Sequence, residues 1–311
     1  MQSETDNKFF MKKVILLLAM ILPTAMYAQK GKYIKKYDVL QYLTTECDRQ
    51  PSTFWKLITE NNTEFRNTMK KFDNPKGSAK KAKERVCNNG DMMKSLRDMR
   101  DRTTIEEEQN AKVRKMMFGE GDNYGMVFGV SSDDEWNAYC TPDGYVNINI
   151  GLVNRLGRDP EMLCGVIAHE VCHYIYCHML IHEYKSLKKE KQNMIGAAIG
   201  AAGTAIGNIA AASAGLDKDY SADQYTSFFD IAREQSEFSR YKYSREEEIE
   251  ADIVAYRFME WIGANPEKYI EALARINLDN LIGNDDGKSD HPSTTFRMDL
   301  LKDLRPASYR R

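Results

Sequence analysis

A chain of 311 residues that is 42% hydrophobic and 29% charged holds enough apolar material for one large core or two modest ones, which excludes a disordered or fibrous protein. Formal net charge is −2 and the lysine-rich stretches (KGKYIKKY, KKAKER) are short, so the electrostatic footprint of a nucleic-acid binder is missing. No nucleic acid is expected as a partner.

Residues 1–28 read as an address. After a polar leader, MKKVILLLAMILPTAMYAQ carries two lysines, an apolar run from Val14 to Leu22 and small residues at Ala25 and Ala28. That run is well short of the roughly 20 residues a spanning helix needs, so a cleaved export signal is expected, with Met11 as an alternative start. The mature protein would then be periplasmic or extracellular. No cysteine ends the run, which argues against a lipid anchor.

The cysteines are Cys47, Cys87, Cys140, Cys164, Cys172 and Cys177, and no two form C-x-x-C. A cysteine zinc ribbon is excluded, buried thiols are expected at most positions, and Cys47 with Cys87 is the one pairing to test.

Residues 29–118 form an N-terminal region of charged amphipathic helices, interrupted by DNPKGS and CNNGD. Character changes at 119, where a second domain is expected to run to 305. Within it, YGMVFGV and CTPDGYVNINIGLV offer β-branched and aromatic runs around a Pro-Asp-Gly turn. A helix capped by Asp159 follows, with Pro160 at its first position, and is expected to continue to about Lys185. Residues 192–216, uncharged and rich in Ala and Gly, have G-x-x-x-G spacings suited to helix contact in lipid, but few large apolar side chains. A small-residue hairpin beside the site is therefore preferred to membrane association. The block SREEEIEADIVAYRFMEWIG forms a further helix from Ser244 to Gly263, another restarts at Asn265, and a loop precedes a last short helix. The fold class expected is mainly α with a small β-sheet (α+β).

The chemistry concentrates in IAHEVCHYIY. His169 and His173, four apart on a helix, lie about 40° apart on one face and can share a zinc ion. Glu170 stands beside them, where a carboxylate can hold the water that zinc activates. Such a pattern arises by chance, but on so apolar a helix two imidazoles and a carboxylate are costly without partners.

Three histidines remain. His178 and His182 fall about 180° and 220° round the same helix, so both are expected to point away from the metal as cap or surface residues. His291 lies in a loop and has two readings: a cap of the last helix, or a donor to the developing oxyanion or the open metal position, with Arg297 anchoring its loop.

A catalytic zinc takes three protein ligands. A third histidine six residues after the second is ruled out, since Tyr176 and Met179 occupy the required positions. Glu248 and Asp252 share a face beside the small Ala251 and Ala255, so Glu248 is the candidate ligand and Asp252 the acceptor for the outer nitrogen of a liganding histidine. Glu246, Glu247 and Glu250 are then expected to face solvent.

In HEVCH, SREEEIEAD, WNAYCTPDGYVNINIGLV and DHPSTTFRM the chain resembles the HtpX-like and CAAX-prenyl-protease-like zinc metalloendopeptidases, family forty-eight of the metallopeptidases, over about 120 to 300. The resemblance implies a zincin-like domain with one zinc held by His169, His173 and Glu248, Glu170 as general base and Asp252 behind the ligands. Asp143, Cys140 and Cys172 depart from its usual residues.

The expected activity is cleavage of a protein or peptide substrate, with the strand near Tyr145 to Ile150 accepting an extended segment as a further strand. The rivals are a chaperone-like or binding module with a structural zinc, and a zinc hydrolase acting on a non-peptide bond.

Overall fold

The computed structural model describes residues 29–43, 48–86, 104–132, 134, 136–213, 245–276 and 293–304. The N-terminal region contributes α1 (29–37), a short 3-10 turn at Val39–Tyr42, α2 (Pro51–Asn61), α3 (Thr63–Met69), α4 (78–86) and α5 (Thr104–Phe118). Next come β1 (Val127–Ser131), β2 (Ala138–Cys140), β3 (Tyr145–Asn149), α6 (Ile150–Arg155), α7 (Pro160–Ile175) and α8 (His178–Ser213). After α9 (245–261), α10 (Glu267–Ile276) and α11 (Thr294–Lys302) close the described chain. The fold is mainly α with a small mixed sheet.

The strand order is β1-β3-β2, with β1 parallel to β3 and β2 antiparallel to it. Pro142 and Asp143 lie in the β2–β3 turn, where Gly144 adopts φ 86° and an added Cβ would meet the Tyr174 ring at 3.0–3.1 Å. Only glycine meets both conditions without strain. β3 is buried at all five positions and paired on both sides. The Tyr145–Ile150 segment therefore cannot accept a further strand, contrary to expectation, and Ile150 already begins α6. The edge that borders the site is β2.

α9 is the structural axle. Every residue from Ala251 to Trp261 is buried, and small Ala251 and Ala255 let neighbouring helices approach closely. Phe258 and Trp261 meet Phe54 of α2 at ring-centroid distances of 5.3 and 6.1 Å, and Phe258 stacks on Trp55 at 4.8 Å. Arg257, 1% exposed, spans from α9 to Asp38 at 2.8 Å and to Glu260 at 2.6 Å. One apolar cluster thus draws on residues from both sides of position 118, including Phe54, Met117, Val146 and Leu300.

Two helix boundaries differ from expectation. α7 stops at Ile175; Tyr176 and Cys177 make a turn, with Cys177 at φ 50°, and α8 starts afresh at His178. Because a non-glycine residue makes the reversal, the sequence carries no glycine or proline to announce it. α8 then runs unbroken to Ser213 rather than folding as a hairpin, and among the described residues no helix is long and apolar enough to cross a membrane.

Candidate metal centre

α7 begins where Asp159 accepts hydrogen bonds from the backbone N–H groups of Glu161 and Met162, at 3.0 and 3.2 Å, satisfying donors that a helix start leaves open. Two turns further on the helix presents His169, Glu170 and His173 to a cleft of about 1370 Å³. α9 brings Glu248 against them. His169 Nε2 lies 3.1 Å from His173 Nε2, and the Glu248 carboxylate oxygens lie 3.3 Å from each imidazole. All three ligand atoms sit within 4.8 Å of one another, the one such group among the described residues.

A zinc ion fits these residues. Tetrahedral ligands about 2.0–2.1 Å from a shared zinc stand roughly 3.3 Å apart, the spacing observed here. Two imidazole nitrogens and a carboxylate are a suitable donor set. The remaining direction opens on the cleft, where Glu170 is half-buried and close enough to Cys140 of β2 to raise its thiol pKa. Burial is the larger cause of that rise, and the buried Cys172 thiol is likewise pushed well up, so neither is a reactive thiolate. Cys140, Cys164, Cys172 and Cys177 are free, while Cys47 and Cys87 lie outside the described residues.

Behind His169 stands a charged assembly drawn from three helices. Its Nδ1 faces Asp252 Oδ1 at 3.0 Å, on a side chain with no solvent exposure. Arg297 of α11 donates to both oxygens of Asp252, at 2.6 and 2.7 Å, and the Tyr269 hydroxyl of α10 donates to Oδ1 at 2.6 Å. Arg297 therefore clamps Asp252, while the loop it was expected to anchor lies outside the described residues, and Tyr269 is a site residue the sequence reading missed. Its side chain lies against Gly165, where an added Cβ would come within 2.6 Å of Tyr269 Cβ and 2.7 Å of the ring. A glycine on an otherwise apolar helix face, opposite an aromatic, was the available signal.

The charges follow from this arrangement. Burial alone would drive Asp252 upward, but Arg297 and His169 outweigh it and hold its carboxyl at about 2. Burial also opposes a charged His169, yet Glu248 and Asp252 together raise it to about 10. His173 goes the other way: burial, with Glu248 opposing, lowers it to about 4.

His178 and His182 do not point away, because the turn at Tyr176 and Cys177 resets the helix direction. His178 is 4% exposed and sets its Nδ1 3.0 Å from His173 Nδ1. Its Nε2 faces Glu250 at 3.5 Å, and His182 Nδ1 faces Glu247 at 3.3 Å. Glu247 is buried and Glu246 receives hydrogen bonds from Lys36 and Tyr37, so these acids are interior partners and not a solvent-facing stripe. His291 lies outside the described residues; the cap of α11 is Ser293, whose hydroxyl accepts from Phe296 N–H at 3.2 Å.

The cleft walls include Phe65 of α3 and Lys83 and Val86 of α4, opposite Trp136 and Tyr139 at the β2 edge. No curated protein matches the chain. The model of Peptidase family M48 matches residues 103–305, a span that contains His169, Glu170, His173, Glu248 and Asp252. With that match over more than half its length, the chain belongs to this family of metallopeptidases.

Proposed function

We propose that this protein is an exported zinc metalloendopeptidase in which His169, His173 and Glu248 hold one zinc and Glu170 is the general base. The observation that carries the reading is the 3.1–3.3 Å triangle of ligand atoms open on one side to a cleft that also contains Glu170. Bound zinc supplies a Lewis acid that polarises a carbonyl and brings water toward a pKa near 7.

The chain's own groups do the rest. Glu170 removes a proton from the attacking water and returns it to the departing amine. Asp252 accepts His169 Nδ1–H, so that Nε2 keeps its lone pair for the metal. The edge of β2 from Ala138 to Cys140, which no strand pairs among the described residues, supports an extended peptide by main-chain hydrogen bonds, which takes over the role first expected of β3. A chaperone-like module with a structural zinc is disfavoured by the open fourth direction and the adjacent carboxylate, since structural sites close with a fourth ligand. Export rests on the leader at 1–28, which lies outside the described residues.

Glu170→Gln tests the assignment: zinc content stays at the parental level while casein cleavage falls by about two orders of magnitude or more. Undiminished, chelator-sensitive cleavage by that variant would contradict it.

A further inference from the structure

The metal reading proposed above leaves one imidazole without an assigned support. When a histidine ligates through Nε2, Nδ1 carries the ring proton and needs an acceptor that holds the plane of the ring. For His169 that acceptor is Asp252. For His173 the atom at hand is another ring nitrogen, Nδ1 of His178, 3.0 Å away, with the two rings near perpendicular at 80° and centroids 5.0 Å apart.

We propose that His178 is a positioning residue of the metal centre: as a neutral imidazole it accepts His173 Nδ1–H and thereby fixes the tautomer and tilt of the second zinc ligand. The assignment rests on the metal reading and follows from it by elimination of protons. If His173 Nδ1 donates, His178 Nδ1 is bare and the His178 proton lies on Nε2. That nitrogen lies 3.5 Å from a Glu250 carboxylate oxygen without meeting hydrogen-bond geometry, so the support on that side is the nearby negative charge alone.

The ring is also held mechanically. It stacks on Tyr176 at 5.8 Å and 26°, and the Tyr176 hydroxyl donates to the Ile58 carbonyl of α2 at 3.3 Å. The turn at Tyr176 and Cys177 is what makes this possible, because an unbroken helix would carry position 178 to the far face. A purely structural histidine would need none of these features to face the outer nitrogen of a ligand.

The test uses the full mature chain and zinc affinity measured by competition with a chromophoric chelator. His178→Phe, which keeps a stacked ring and removes the acceptor, is expected to weaken zinc binding about 10- to 100-fold. His178→Asn, whose amide oxygen can replace Nδ1, is expected to stay within about threefold of the parent. Parental affinity in His178→Phe, or equal losses in both variants, overturns the proposal. A measurement that needs no variant is the ¹⁵N spectrum of histidine-labelled, zinc-loaded protein. His178 protonated at Nε2 supports the assignment, and His178 protonated at Nδ1 overturns it. A parental chain that binds no zinc, or a His173→Ala variant that binds it undiminished, would instead strike at the metal site itself.

Discussion

His169 and His173 sit one turn apart on the same helix, yet they are held by different kinds of structure. The outer nitrogen of His169 meets Asp252, whose charge is held by Arg297 and whose Oδ1 also accepts from the Tyr269 hydroxyl, so the support draws on α9, α11 and α10, far along the chain. The outer nitrogen of His173 meets His178, five residues away across one turn. The first support is tertiary and charged; the second is local and neutral. Forming the His169 side thus requires the whole helical assembly to close, whereas the His173 side comes with α7 and the turn that ends it. A site built this way couples metal affinity to folding on one flank only.

The largest expected effect comes from breaking the charged side. Arg297→Met leaves Asp252 buried without its guanidinium, and removing one partner of a buried pair costs about 3–5 kcal/mol. Urea denaturation of the metal-free protein would show it. A loss below about 1 kcal/mol would mean that Asp252 is solvated and the comparison fails.

Next is Gly165→Ala. The added carbon would meet Tyr269 Cβ at 2.6 Å and its ring carbons at 2.7 and 2.8 Å, and close packing there leaves the side chain no cheap retreat. Destabilisation of about 1–3 kcal/mol is expected, together with weaker zinc binding through the displaced hydroxyl. Zinc affinity in Gly165→Ala paired with Tyr269→Leu that is no lower than in Tyr269→Leu alone would confirm that the alanine weakens binding through the Tyr269 hydroxyl.

The most diagnostic effect is on pH. His169 in the metal-free fold titrates at about 10, above its ordinary 6.5, so its pairing stabilises the fold fully below 6.5 and fades as pH rises through 10. Asp252 has the opposite sign: held at about 2 against an ordinary 3.8, it contributes above 3.8 and is lost as pH falls through 2. Zinc must displace the His169 proton, so apparent affinity should fall up to about tenfold for each unit below pH 10 on account of this group alone. Flat affinity between pH 6 and 8 would show that His169 is already neutral.

Much of this was legible locally. The cap at Asp159, the imidazole pair with Glu170, and Glu248 with Asp252 all follow from spacings within single helices, where geometry is nearly fixed by the chain. What escaped depended on contacts across elements or on an unmarked turn. His178 was misplaced because Cys177 takes a left-handed backbone without a glycine to signal it. Arg297 and Tyr269 converge on Asp252 only after α10 and α11 pack, and strand order put β3 in the middle of the sheet where alternation alone says nothing about neighbours.

Metal content is the most direct test of the proposed centre. Elemental analysis of the purified mature chain should find about one zinc per molecule, and Glu248→Ala, which removes the one ligand that α9 contributes, should lose most of it while staying folded. A parental chain free of zinc after preparation with the metal present, or a Glu248→Ala variant that retains a full equivalent, would contradict the proposed centre.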